Sequence, residues 1–325
     1  MVVVQHTHIA FGVTEKNQLW WWPGFSDFGY LGVYLFFTIS GFIIANVLMR
    51  PNFKLCDYFW QRFVRIYPLY WIVMGVGIYY YYTRNWFKYQ VDSLGTEGMV
   101  KSFAIFPLKE HPFWEPGWSL EHEVIFYIIA AIVVPLMGLR SLAIVMISLG
   151  AIGMFFQIGW VYHLFSEAQI FFGLGVVANL LKDRCWRVAL PIAVCSFSCA
   201  YGYYYGGWLS LGPAFASVAY AIGTAALIVS LLDIERNGWK VPRLFVLIGN
   251  ASFSLYLWHW LIIPLASRWK DVGGGAELWR WIIVVASVLA AFTSYYVFER
   301  PLISFSHKKW RWLTSNTDNN EVLRS

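Results

Sequence analysis

Long apolar stretches with few charged residues recur along the whole chain. An α-helix needs about 20 apolar residues to cross the hydrocarbon core of a bilayer, so each stretch predicts a membrane-spanning helix. The nine predicted helices lie near residues 29–49, 66–83, 118–138, 141–162, 167–181, 188–206, 211–232, 252–267 and 280–298. Gly173 and Gly175, in the short fifth stretch, are expected to let that helix pack closely against a neighbour. The sequence predicts an all-α integral membrane protein.

The composition excludes several other classes of protein. Hydrophobic residues make up 59% of the 325 positions and charged residues 13%, with a mean hydropathy of +0.54. That charged share is about half of the share in an ordinary soluble domain. The basic residues are scattered between apolar stretches, so the net charge of +6 indicates membrane lipids as partners and no nucleic acid. The four cysteines lack the spacing of a metal site, and neither a metal nor a disulfide framework is predicted.

The charge distribution predicts how the helices are oriented. Residues 1–12 are apolar but too few to span, and we interpret them as the outer half of a first helix whose beginning lies upstream of this chain. With that helix, the sequence predicts about ten membrane helices in one bundle. Of the 24 lysine and arginine residues, 16 fall in the gaps on one side of the membrane. This bias predicts that the C-terminus lies in the cytoplasm.

The same pattern predicts the domain organisation. Residues 1–303 are expected to form one transmembrane domain, followed by a polar cytoplasmic tail at residues 304–325. Only the outer gap at residues 84–117 is long enough for a small structured loop. No internal repeat and no separate soluble domain is visible in the sequence.

Polar side chains in or against the apolar stretches are the first functional candidates, because burying them in lipid is costly. They are His6, His8, Arg62, Arg65, Glu121, Glu123, His259 and Glu299. Arg62 and Arg65 are three residues apart and therefore share one face of a helix. Glu299 is placed unfavourably for the dipole at its helix end, so a cationic partner such as Arg62, Arg65 or Arg300 is expected nearby.

Five segments, in order along the chain, carry a resemblance to a known family. They are GVYLFFTISGF at residues 32–42, YFWQRFVRIYPLY at 58–70, WSLEHEVIFY at 118–127, ASFSLYLWHW at 251–260 and FERP at 298–301. These segments resemble elements of the membrane-bound acyltransferase-3 family, and together they extend over nearly the whole chain. The resemblance implies ten membrane helices, in agreement with the helix count.

The resemblance also implies an activity. Members of this family move an acyl group from acyl-coenzyme A to a hydroxyl group, so the chain is expected to be an O-acyltransferase of a bacterial inner membrane. Acetyl is the first candidate for the group, and acetyl-coenzyme A is the expected donor substrate. No tightly bound cofactor is expected. The expected acceptor is a surface or exported glycan, free or lipid-linked. The sequence leaves open whether the protein forms a homo-oligomer and whether it binds proteins of polysaccharide assembly.

Two residues are the catalytic candidates. The family carries an arginine followed eleven residues later by a histidine that acts as base, and His6 falls on that histidine, although the arginine would precede Met1. A histidine titrates near neutral pH and suits removal of a hydroxyl proton. Glu123 falls on the acid of the family's WSLxxE element. A structural interaction of its carboxylate with the helix dipole is an equal alternative to a catalytic role. Glu121 is an additional acid that departs from the family pattern.

The resemblance assigns further roles. It makes the Arg62 and Arg65 pair the donor-binding site, and guanidinium groups bind phosphates such as those of coenzyme A in a bidentate manner. Ordinary positive charge on the cytoplasmic side is the alternative for this pair. Trp118, Tyr127, His259 and Glu299 are candidates for substrate binding or for structural polar contacts. A buried histidine bonded to a backbone carbonyl is the favoured interpretation of His259.

Two other functions compete with acyl transfer. A many-helix chain with histidine, arginine and glutamate inside the membrane is also typical of a transporter or a flippase of lipid-linked glycan. Inverted repeats would favour that alternative, and the sequence contains none. An inactive partner of a glycan assembly complex is the other alternative, because the arginine paired with His6 is not present in this chain.

Overall fold

The computed structural model describes residues 2–11, 29, 31–51, 53–156, 163–183, 186–204, 212–267 and 276–306. Every regular element in these ranges is a helix, which agrees with the predicted all-α class. The helices are α1 Val2–Phe11, α2 Leu31–Leu48, α3 Leu55–Arg84, α4 Lys88–Ala104, α5 Gly117–Met137, α6 Leu139–Phe155, α7 Ala168–Leu181, α8 Trp186–Tyr204, α9 Gly212–Arg236, α10 Arg243–Asn250, α11 Ser252–Ser267 and α12 Ala276–Ser294. A π-helical turn, Tyr295–Glu299, follows α12, and the helix then continues to Ser306.

Five of the described helices are long and apolar enough to cross a membrane. They are α2, α3, α5, α9 and the continuous segment Leu278–Ser306. The pair α10 and α11, bent by 64°, adds a sixth if it forms one span, and α6 and α7 are shorter apolar helices. The chain is therefore a multi-pass membrane protein, whereas the count of ten spans and the truncated first helix stay predictions.

The exposed faces of these helices are apolar, as expected of surfaces in contact with lipid. On α5, Ile128, Ile132 and Leu136 lie four residues apart and are 46%, 55% and 76% exposed. Spacing by four residues places them in one row along the helix. On the same helix Glu121 and Glu123 are buried. Apolar groups face outward and charged groups inward, the reverse of a soluble protein.

Helix α3 begins earlier than its apolar stretch predicts. The stretch starts near residue 66, whereas the helix begins at Leu55 and includes Pro68 in its interior. Arg62 and Arg65 therefore lie within α3 instead of beside it. Apolar length marks only the part of a helix that crosses lipid, and a helix can continue into the polar interface because its backbone hydrogen bonds do not depend on hydropathy.

The predicted structured loop at residues 84–117 contains α4, which has a break within it. Gly95 has φ of 59° and ψ of −171°, a backbone conformation that a side chain disfavours. After α4, the Phe113 amide donates to Ser102 Oγ at 3.0 Å, and Phe113 and Trp114 are fully buried. These contacts fix the segment between α4 and α5 in place.

The chain divides into two compact units. Unit 1 contains Met1–Phe53 and Gln90–Pro242, and unit 2 contains Lys54–Tyr89 and Arg243–Ser325. The predicted boundary between residues 303 and 304 is a different division, and it stays a prediction.

Within unit 1, glycines let helices meet backbone to backbone. A Cβ atom added at Gly175 on α7 would overlap the backbone carbonyl of Thr38 on α2, and one at Gly41 on α2 would overlap the carbonyl of Phe172. A Cβ atom at Gly173 would lie 2.7 Å from Ile147 Cγ1 and 3.1 Å from the Ile147 backbone nitrogen on α6. The predicted role of Gly173 and Gly175 is confirmed, and it is typical of helix packing in membranes, where small residues permit close approach.

Candidate active site

A buried carboxylate joins two helices of unit 1. Glu123 on α5 is 3% exposed and accepts a hydrogen bond from Ser40 Oγ of α2 at 2.9 Å. Tyr127, one helical turn further along α5, donates its hydroxyl to the same carboxylate oxygen. Two hydroxyl donors therefore hold the predicted catalytic acid in a fixed orientation, and Ser40 belongs to the serine-glycine-phenylalanine sequence that the resemblance singled out.

Glu121 belongs to a second cluster on the same helix. Successive residues of an α-helix are rotated by about 100°, so Glu121 and Glu123 point in different directions. Glu121 Oε2 lies 2.6 Å from His163 Nε2, on the turn before α7, and accepts the Leu108 amide at 3.5 Å. The Glu121 and His163 side chains are 2% and 3% exposed. The additional acid therefore binds a histidine inside the protein.

His122 completes this cluster, although sequence reasoning did not select it. Its ring centroid lies 4.7 Å from that of His163 and 6.0 Å from that of Phe37 on α2. Trp118 packs against the same histidine at 5.9 Å, edge to face. The signal in the sequence was three consecutive ionisable residues, Glu-His-Glu, at the start of an apolar stretch. His163 gave no such signal, because it lies outside every predicted helix.

The predicted base, His6, lies on α1 and is half-buried. Helix α1 belongs to unit 1, the unit that also contains Ser40, Glu123 and Tyr127. The side chain of His8 lies outside the described residues. The role of His6 as a base stays a prediction, as does the catalytic role of Glu123.

Unit 2 contains a separate polar cluster around Glu299. The carboxylate is 3% exposed and lies at the end of the π-helical turn. It forms an ion pair with Arg65 of α3 and accepts a hydrogen bond from Ser254 Oγ of α11 at 2.6 Å. The Arg65 guanidinium also lies over the Phe253 ring, 5.2 Å from its centroid. The cationic partner expected for Glu299 is thus Arg65, one of the three candidates.

The remaining predicted site residues lie near these clusters or elsewhere in unit 2. Arg62 is half-buried and one turn before Arg65 on α3. His259, on α11, is fully buried, with its ring 5.8 Å from that of Tyr256. The donor-binding role of the arginines and the roles of Trp118, Tyr127, His259 and Glu299 stay predictions.

The two clusters of unit 1 have the composition of a site for transfer chemistry. Carboxylates, imidazoles and hydroxyls lie buried on apolar helices, where polar groups are costly and typically functional. Among residues in the described ranges, no three His, Cys, Asp or Glu side chains are grouped as ligands of a metal ion would be.

Comparison with known proteins identifies the family. Residues 1–299 match the acyltransferase-3 family, described as an acyltransferase domain. Exopolysaccharide production protein ExoZ of Rhizobium meliloti (strain 1021) is 28% identical over 296 residues, covering 85% of this chain and 90% of that protein. O-acetyltransferase OatA of Staphylococcus aureus (strain NCTC 8325 / PS 47) is 23% identical over 352 aligned positions, covering 88% of this chain and 54% of OatA. No solved structure shows significant similarity to the chain.

The family match includes His6, both arginines, Glu123 and Glu299, and it ends where the π-helical turn ends. It extends over most of the chain, and the relative OatA is named as an O-acetyltransferase. The protein therefore belongs to the acyltransferase-3 family and is an acyltransferase.

Proposed function

We propose that this protein transfers an acyl group, acetyl in the first instance, from cytoplasmic acyl-coenzyme A to a hydroxyl of an exported or surface glycan. The observation that carries the proposal is the match to ExoZ, a protein named for exopolysaccharide production, along 90% of its length. The name of OatA supports O-acetyl transfer as the chemistry. In the reaction, the hydroxyl oxygen bonds to the thioester carbon, the carbon–sulfur bond breaks with release of the coenzyme A thiolate, and a base takes the hydroxyl proton.

His6 is the proposed base. An imidazole accepts a proton near neutral pH, and a positioned general base contributes about 10² to 10⁴ in rate. Glu123 is proposed to position other groups of the site. Because Ser40 and Tyr127 both donate to it, the carboxylate holds α2 and α5 in one arrangement and presents a negative charge inside the helices of unit 1.

The arginines of α3 are the proposed donor site. Coenzyme A carries several phosphates, and guanidinium groups bind phosphates strongly. In this proposal both guanidinium groups attract the phosphates of coenzyme A. The ion pair with Glu299 fixes the position of the Arg65 side chain.

The proposed topology has ten membrane helices in a bacterial inner membrane, with the C-terminus in the cytoplasm. The two-to-one distribution of lysine and arginine supports it, since basic residues concentrate on the cytoplasmic side. In this orientation the N-terminal part of α3, which carries Arg62 and Arg65, faces the side where acyl-coenzyme A is made.

The test compares surface glycans from cells that lack the gene and carry one of three complementing copies. The copies are the native gene, His6→Ala and, as a matched control, His111→Ala, whose side chain is 71% exposed. We expect native protein and control to restore an alkali-labile acyl mass on the glycan, while His6→Ala does not. Restoration by His6→Ala would show that the base lies elsewhere. A glycan that is never acylated but whose export depends on the gene would indicate a transporter.

A further inference from the structure

A groove of about 430 Å³ lies between α4 and the segment that follows it in unit 1. Ser93, Glu97 and Lys101 line one wall from α4, and Phe106, Lys109 and Glu110 line the other. The backbone amide of Phe106 donates to the Lys101 carbonyl at 2.9 Å, so the second wall is attached to the first.

The shape of the groove depends on the break in α4. Gly95, with φ of 59°, lies between the lining residues Leu94 and Glu97. Gly98 lines the groove as well, and a Cβ atom there would lie 2.8 Å from Leu94 Cβ. Gly95 permits the break in α4, and the missing side chain at Gly98 leaves room for the side chain of Leu94.

The chemistry of the lining fits a sugar better than a nucleotide. Two carboxylates, two ammonium groups and a serine hydroxyl offer both hydrogen-bond donors and acceptors, as the many hydroxyls of a glycan require. Lys101 donates a hydrogen bond to Glu97 and lowers the pKa of that carboxyl, which favours its charged form. The lining charges balance, which gives no attraction for the phosphates of coenzyme A.

An exposed aromatic ring adds a second feature typical of sugar binding. Phe106 is 57% exposed at the edge of the groove. The face of an aromatic ring is partly negative and attracts the C–H groups on the apolar face of a sugar ring. Loops on a rigid support commonly carry binding residues, and buried Phe113 and Trp114 provide that support.

The floor of the groove is bonded to the buried histidine cluster. Leu108 lines the groove, and its backbone amide donates to Glu121 Oε2, the oxygen that lies 2.6 Å from His163 Nε2. The groove and the buried ionisable groups of α5 are thus parts of one connected structure.

We propose that this groove binds the acceptor glycan. The inference rests on the proposed function, because it assigns the second substrate of the acyl transfer to a place on the protein. The groove lies in the gap at residues 84–117, which the charge distribution places on the outer face, where an exported glycan is located.

The experiment measures transfer of label from radioactive acetyl-coenzyme A to the exopolysaccharide of the deletion strain, by the purified full chain in nanodiscs. The groove variants are Phe106→Ala, Glu110→Gln and the double change. The controls are Tyr89→Ala and Asp92→Asn, an exposed aromatic residue and an exposed acid that do not line the groove. We expect the double groove variant to raise KM for the polysaccharide by about tenfold or more, with KM for acetyl-coenzyme A unchanged.

Each other result has a distinct meaning. A polysaccharide KM within twofold of the native value in the double variant would overturn the groove assignment, as would an equal rise in the KM values of both substrates. If the native protein itself transfers no label to the polysaccharide, the proposed function fails and the groove assignment fails with it. The altered side chains are exposed, so elution of each variant as a single species in size-exclusion chromatography is expected.

Discussion

Three carboxylates are buried among the described residues, and each of them is paired differently. Glu123 has two hydroxyl donors, Glu121 has a histidine and a backbone amide, and Glu299 has an arginine and a serine. Replacing a carboxylate held by hydroxyls with glutamine leaves no unpaired charge inside the protein. A carboxylate that balances a guanidinium cannot lose its partner without leaving a buried charge.

The Arg65 and Glu299 pair predicts an asymmetric loss of stability. Arg65→Ala leaves the carboxylate of Glu299, 3% exposed, without its counter-charge, and should lower the free energy of unfolding by about 3–5 kcal/mol. Glu299→Gln leaves Arg65, whose side chain is 34% exposed and can be hydrated, so a smaller loss is expected. Thermal unfolding in detergent measures both, and equal losses would contradict the argument. Arg243→Ala, an exposed arginine, is the control.

The Glu123 cluster predicts graded losses of activity. Glu123→Gln removes the charge that both hydroxyls bond to and should lower kcat by a factor of about ten to a hundred, the worth of one charge-assisted hydrogen bond. Tyr127→Phe leaves Ser40 as a donor, so its loss should be smaller. Tyr82→Phe, at a residue that is 79% exposed, serves as the control. An active Glu123→Gln enzyme would show that the acid is only structural.

At the scale of helices, apolar length in the sequence predicted most elements to within a few residues. The stretch at residues 252–267 coincides with α11, and the stretch at 118–138 is displaced by one residue from α5. The sequence did not reveal α4 and α10, because neither helix contains an apolar run long enough to cross a bilayer by itself. The start of α3 was misplaced because the helix begins before its apolar stretch.

Site residues were predictable where a motif marked them and unpredictable where packing alone brought them together. Glu123 and Arg65 stood in recognisable segments. His163 approaches Glu121 only because the turn before α7 packs against α5, a contact between residues 42 positions apart in the chain. Contacts of that kind depend on tertiary packing, which hydrophobic periodicity does not report.

The contact between α2 and α7 predicts a strong effect of one methyl group. Gly175→Ala places a Cβ atom on the backbone of α2, which cannot move aside as a flexible side chain would, and should destabilise by about 1–3 kcal/mol or more. Gly75→Ala on α3 is the matched control, because a Cβ there meets nothing within 4 Å. The measurement is the melting temperature of each variant in detergent, and we expect a lower value for Gly175→Ala. Equal values would exclude a tight contact between α2 and α7.

At the scale of the whole molecule, the central prediction concerns the side of the membrane on which each loop lies. Five helices, α5 to α9, separate the gap after α3 from the gap after α9. If all five cross the membrane, the two gaps lie on opposite sides, and the charge bias places the first outside.

Labelling of single cysteines tests this topology. In a protein whose native cysteines are replaced by serine, Tyr89→Cys and Asn237→Cys introduce thiols at exposed positions in the two gaps. A maleimide that does not cross membranes should label the first in intact cells and the second only after lysis. Labelling of both in intact cells would mean that an even number of helices separates them.

Because of the π-helical turn, the position of Glu299 depends on the number of residues at the end of α12 as well as on their identity. A π turn contains one residue more than the surrounding helix needs, and each residue rotates the helix by about 100°. Removing Val297, which is 74% exposed, should therefore swing Glu299 away from Arg65 and Ser254 and lower stability as much as losing the carboxylate. Val297→Ala should be neutral in the same melting measurement. An exposed side chain of this turn such as Val297 can therefore be replaced, whereas an insertion or deletion there would separate Glu299 from Arg65.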